Sequence, residues 1–146
     1  MDTTISQSIT IFLITFLVLL PHNSAKFWWK VHYVHILNHL SDPSAQLLVH
    51  CKSKEDDLGL HYIAVNNEFQ WHFRNEVFKQ TLFWCRLQPS HNIRTAAFVA
   101  YINNEEQTPK EYGYHNYWIG KDDGVYSKRM NHDNNQWEEK LQVRWE

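Results

Sequence analysis

Only four glycines and four prolines occur in the 146 residues, too few for a collagen-like or low-complexity chain. The two cysteines, Cys51 and Cys85, cannot supply a four-thiolate zinc site or a disulfide-dense mini-protein, but they can form one bridge. Basic residues show no excess: 14 Lys+Arg stand against 16 Asp+Glu, a formal charge of −2, which argues against a nucleic-acid partner. No Asn-x-Ser/Thr triplet is present, which excludes standard N-glycosylation. There is also no Gly-rich phosphate loop and no Gly-x-Ser-x-Gly elbow. Aromatic residues, by contrast, are plentiful. They make up 15% of the chain, seven of them Trp, within a hydrophobic total of 43%. Such a chain is not disordered, and its length predicts one domain.

The N-terminus sets the compartment. Residues Ile9 to Leu20 read ITIFLITFLVLL, shorter than the roughly 20 residues a membrane span needs. The run fits the apolar region of a secretory signal peptide, and the small residues Ser24 and Ala25 follow it. We expect residues 1–25 to be the signal peptide and 26–146 the mature, secreted, extracellular domain. In an oxidising compartment Cys51 and Cys85 are expected to pair. Closing that loop stabilises the fold by about 4 kcal/mol in the chain-entropy model.

Beyond the leader, apolar and polar residues alternate with period 2, and no long window shows helical amphipathicity. In Glu68–Arg74, EFQWHFR, Phe69, Trp71 and Phe73 share one face, with Gln70, His72 and Arg74 on the other. The same pattern predicts strands at Trp29–Asn38, Ala45–Ser53, Leu60–Val65, Thr81–Leu87, Ile93–Ile102, Tyr114–Ile119, Val125–Lys128 and Gln136–Trp145. Turn signals such as Asn66-Asn67 and Asp122-Asp123-Gly124 separate them. Eight or nine short strands predict an all-β fold, an antiparallel two-sheet β-sandwich. Asn103–Glu111, polar and containing Pro109, reads as an exposed connection.

Ten histidines invite a metal or acid–base reading. His32 and His35 fall on opposite faces of a strand, and no carboxylate sits between them as in the helical zinc-protease motif. His50 and His61 are the best candidates for the paired acid and base of a nuclease, although no pattern fixes their geometry. The run Glu55-Asp56-Asp57 lacks the alternating ligand spacing of a calcium loop. No metal, cofactor or catalytic residue is therefore assigned, and a non-enzymatic secreted binding domain is favoured. A histidine-dependent nuclease, or another secreted hydrolase or toxin, is the alternative.

Val49-His50-Cys51-Lys52-Ser53-Lys54-Glu55-Asp56-Asp57-Leu58-Gly59, followed by His61, resembles a signature of the plant self-incompatibility S1 family, also called S-protein homologues. A second signature is Phe69, Trp71 and Phe73 leading into Thr81-Leu82-Phe83-Trp84-Cys85. Val34–Leu40 is similar to the family's opening strand, and Trp118-Ile119 with Asp122–Tyr126 to its C-terminal hairpin. The resemblance implies a secreted β-sandwich with Cys51 and Cys85 bridged, no cofactor and no enzymatic activity. It further implies a ligand read by a membrane receptor protein, as in pollen–pistil recognition. Many members carry a second cysteine pair before the tryptophan matched by Trp118; here Tyr112–Tyr117 contains none, so packing must hold the C-terminal hairpin.

For Lys52–Gly59 a structural role is favoured over partner selection: Gly59 supplies a left-handed turn and the charges keep a hairpin edge soluble. Individual identity is expected in Asn103–Glu111 or Lys128–Asn135. Phe69, Trp71, Phe73, Phe83, Trp84 and Trp118 are expected in the core. In acidic surroundings exposed histidines gain charge, so weak association with anionic cell-wall polymers or membrane surfaces is expected as pH falls. Intact-mass analysis of secreted protein should show a gain of two hydrogen atoms on reduction. Two alkylatable thiols before reduction would contradict both the bridge and the compartment.

Overall fold

Nine strands follow the alternation of the sequence in the computed structural model, which describes residues 31–75, 80–103, 114–131 and 133–146. They are β1 (Val31–Asn38), β2 (Gln46–Lys52), β3 (Asp57–Ala64), β4 (Glu68–Arg74), β5 (Leu82–Pro89), β6 (Ala96–Ile102), β7 (His115–Lys121), β8 (Gly124–Asn131) and β9 (Gln136–Arg144). No helix occurs among the described residues. One sheet has the order β4-β1-β7-β8-β9 and the other β3-β2-β5-β6. All pairs are antiparallel except β1 with β7. The expected leader, and Asn104–Glu111 of the expected connection, lie outside the described residues.

The sheets pack through their apolar faces. Val34 and Ile36 of β1 join Leu47, Val49 and Cys51 of β2, Cys85 and Leu87 of β5 and Val125 of β8 in one core, all essentially inaccessible to solvent. Phe69, Trp71, Phe73, Phe98 and Trp118 cover its margins. Phe83, within the core, meets Phe73 at 4.7 Å and Trp71 at 5.5 Å between ring centroids. The sheets approach so closely at Gly120 that an added Cβ would lie 2.7 Å from Leu47 Cδ2. Polar links also cross the sandwich: Asn38 Nδ2 donates to the Ile63 carbonyl and Trp118 Nε1 to that of Ala100.

Cys51 and Cys85 stand opposite each other on β2 and β5 and are disulfide-bonded. The bridge therefore staples neighbouring strands of one sheet, and the two sheets are joined by packing. The C-terminal hairpin has its own anchors. Trp145 is buried and donates Nε1–H to the Lys121 carbonyl, while Thr95 and Glu146 exchange backbone hydrogen bonds.

Turn chemistry explains several boundaries. Asn66 and Asn135 adopt positive φ in place of the scarce glycine. A Cβ on Gly124 would collide with the Val143 carbonyl oxygen. β6 begins at Ala96 rather than Ile93, because Asn92 Oδ1 accepts the Arg94 backbone N–H in a local turn and leaves Ile93 in solvent. β3 begins three residues earlier than expected, since a bulge after His50 carries the pairing on to Lys52–Asp57. β8 runs three residues beyond the expected end at Lys128, to Asn131, and so takes in the first part of the Lys128–Asn135 segment.

Trp84 departs from the expected core set. Because Phe83 and Cys85 point inward, period 2 turns Trp84 outward, where Lys52 Nζ lies 6.0 Å from its ring. Phe83→Ala should cost about 3–5 kcal/mol of stability. Trp84→Ala should cost clearly less in the same denaturant titration. Equal losses would contradict the facing assigned to β5.

Candidate functional site

Most of the signature side chains are engaged in building the β2–β3 connection. Ser53 Oγ accepts the backbone N–H groups of Glu55 and Asp56, and the Ser53 N–H donates to the Asp56 carbonyl at 2.8 Å. Asp57 Oδ1 accepts from Gly59 N–H at 2.9 Å and from His50 Nε2 at 2.6 Å. Those two donors, the Gly59 amide foremost, hold the Asp57 carboxyl below its ordinary value. Gly59 has φ +79°, and an added Cβ would meet nothing within 4 Å. Glycine is thus required there by backbone conformation and not by space. His61 donates Nε2–H to the Leu58 carbonyl and stacks on Phe69 at 3.8 Å. Lys54, Glu55 and Asp56 remain exposed. They line an open cleft of about 460 Å³ together with Arg74 and Phe83.

His50 and His61 do not meet. In the β2–β3 register His50 opposes Leu60 on the outer face, whereas the neighbouring His61 turns inward onto Phe69. The sheet itself separates the two imidazoles. An acid–base pair acting on one substrate needs both groups within hydrogen-bond reach of it, and this placement does not provide that. Among the described residues no three His, Cys, Asp or Glu side chains gather in a metal-binding group.

The outer face of the four-stranded sheet carries exposed apolar side chains. Leu60 and Tyr62 on β3 and Val99 on β6 are 53%, 59% and 47% accessible. Between them stand Leu48, His50, Trp84 and Arg86, in the registers Leu48–Tyr62, His50–Arg86 and Trp84–Val99.

The outer face of the five-stranded sheet carries a row of rings. His72 neighbours Tyr33 at 5.7 Å, and Tyr33 stacks on His115 at 4.5 Å with 5° between planes. His115 meets His35 at 5.1 Å, and His35 stacks on Tyr117 at 4.5 Å. His35 Nδ1 lies 3.2 Å from Glu68 Oε2, and its Nε2 lies 2.8 Å from His115 Nδ1. One proton serves that N···N contact, since two ring N–H groups cannot face each other there. Burial, then the charge of His35, pushes the His115 imidazole down. Sequence reading missed this row. Its histidines were visible, but the parallel pairing that sets His115 and Tyr117 beside Tyr33 and His35 joins strands 80 residues apart.

Residues 33–145 match the family described as plant self-incompatibility protein S1. The chain belongs to that family. Arabidopsis thaliana S-protein homolog 5 is 38% identical over 61 residues, 42% of this chain and 46% of that protein. S-protein homolog 29 from the same plant is 35% identical over 74 residues, 51% and 53% of the two chains. The chain thus spans about half the length of these curated relatives. A solved structure of a self-incompatibility protein homologue shares the fold, with TM-score 0.60 and 18% identity over 81% of this chain and 96% of that one. It is described as one of a widespread family of small, highly stable, secreted plant proteins.

The lowered His115 value lies below the unfolded imidazole value near 6.5. Its contribution to stability is therefore complete above that value and is lost as pH falls through the lowered one. In an NMR titration His115 should protonate below the ordinary imidazole range. Its midpoint should rise in His35→Ala, which admits water and removes the neighbouring charge. An unchanged midpoint would contradict the coupling.

Proposed function

We propose that this family member is a secreted protein ligand recognised by a membrane receptor protein in plant cell–cell signalling. Three features support secretion: the apolar leader, the disulfide, and the description of the structural neighbour as a secreted plant protein. The observation that carries the receptor reading is the exposed Leu60, Tyr62 and Val99 on one sheet face. Exposed apolar and aromatic side chains of this kind mark protein interaction surfaces. Here Leu48 and Trp84, with His50 and Arg86, bridge the central strands β2 and β5 between Leu60 and Tyr62 on one edge strand and Val99 on the other, and Lys52 and the His50–Asp57 pair lie toward the loop end. The signature loop fixes the β2–β3 end of this surface, so its charges act on partner choice through their position beside the patch. The separated positions of His50 and His61 give the nuclease alternative no geometric support.

Labelled mature protein should bind plant protoplasts saturably. Tyr62→Ser and Leu60→Ser should each weaken that binding by about tenfold or more, the scale of a central interface residue. Unsaturable binding, or turnover of RNA by the purified protein, would contradict the ligand reading.

A further inference from the structure

The opposite face of the sandwich has a different chemistry. Its outward residues are Glu68, Gln70, His72 and Arg74 on β4, Tyr33, His35 and Leu37 on β1, and His115, Tyr117, Ile119 and Lys121 on β7. β8 adds Tyr126, Lys128 and Met130, and β9 adds Trp137, Glu139, Leu141 and Arg144. The carboxylates near this face already have cations. Glu68 faces His35, Glu139 pairs with Lys121 at 2.5 Å, and Asp123 at the β7–β8 turn pairs with Arg144 at 3.8 Å. Lys128 lies opposite Glu139 in register, yet its ammonium sits 5.4 Å from the centre of the Trp137 ring. Trp137 is 45% exposed. A sheet otherwise belonging to a slightly acidic chain thus presents Lys128 with no carboxylate ion pair among the described residues, while Arg74, at the end of β4, also lines the cleft beside Glu55 and Asp56.

We propose that this face binds an acidic polysaccharide, a polyuronate chain of the kind found in plant cell walls. Lys128 above an exposed indole offers a cation for a carboxylate and an aromatic ring for the C–H face of the same sugar. The row from His72 through Tyr33, His115 and His35 to Tyr117 continues the track with ring edges that donate and accept hydrogen bonds. Five strands at the usual spacing span about 19 Å, the length of several pyranose units. The aliphatic residues of this face, Leu37, Ile119, Met130 and Leu141, are buried or half-buried, which leaves Trp137 without the exposed aliphatic neighbours an interfacial membrane anchor needs. A soluble polyanion fits better than a lipid surface.

Acid strengthens the complementarity. The groups around His115 are Tyr33 and His35 on β1, Glu68 and His72 on β4, Tyr117 on its own strand, and Lys128 opposite Tyr117 on β8. Glu68 is the one carboxylate in that set. As pH falls, His115 gains charge, doing so below the ordinary imidazole range because burial and the neighbouring His35 oppose it. Added salt screens the attraction.

The test is independent of any receptor, because it uses purified mature protein and isolated polymers. Retention on immobilised polygalacturonate is compared with retention on its fully methyl-esterified form and on phosphatidylserine vesicles, at neutral pH and at the acidity of the cell wall. Retention should be specific to the free-acid polymer, rise with acidity and fall with salt. Lys128→Glu and Trp137→Ala should each weaken it at least tenfold. Arg86→Glu, on the opposite face, should leave it within a factor of two. Circular dichroism and the intact disulfide verify that each variant is folded. Equal retention on the esterified polymer, preference for vesicles, or equal losses in Arg86→Glu and Lys128→Glu would overturn the proposal.

Discussion

Face-to-face contact between two apolar sheet surfaces is the constraint on which the rest of this molecule depends. Val34 and Ile36 meet Leu47, Val49 and Leu87 in a core with no access to solvent, and the close approach of Gly120 to Leu47 leaves no room for sliding. Because side chains alternate along every strand, fixing the inner residues also fixes the outer ones. Tyr62 and Leu60 face outward because Ile63 faces inward. His35 and Tyr33 form an outer row because Val34 and Ile36 do not. The two candidate surfaces are consequences of the core.

Disulfide and signature loop act within that frame. The Cys51–Cys85 bridge joins adjacent strands of the four-stranded sheet and fixes the β2–β5 register beside the bulge that starts the loop. Ser53, Asp57 and Gly59 then shape the loop through backbone hydrogen bonds and one left-handed residue. The absence of a second bridge near Trp118 is met by Trp118, Trp145 and the Thr95–Glu146 backbone pair, which tie the C-terminal hairpin to β6 and to the turn after β7.

Much of the architecture is legible in the sequence because period 2 is a local signal. EFQWHFR shows its facing unaided, and Glu68–Arg74 is a strand with those bounds. Adjacency to Cys85 points Trp84 toward the core, but alternation along β5 sets next neighbours on opposite faces, so an inward Cys85 turns Trp84 outward. Ends of strands were less legible: the bulge after His50 and the Asn92 turn depend on hydrogen bonds that no spacing displays. Pairing between distant strands was not legible at all. The His35–His115 contact and the Trp137–Lys128–Tyr117 corner exist only because β1 lies beside β7 and β8 beside both β7 and β9. For the same reason the separation of His50 from His61 appears only once β2 and β3 are in register.

On the reading proposed above, one core generates two outward faces with separate partners, a receptor on the four-stranded sheet and an acidic polymer on the five-stranded sheet. Hydroxyl-radical footprinting of the protein bound to plant cells, with and without their walls, tests this most directly. Tyr62, Leu60 and Trp84 should be protected on wall-less cells, and Trp137 and Tyr126 only when the wall is present. Protection of both sets on wall-less cells, or of one set under all conditions, would contradict it.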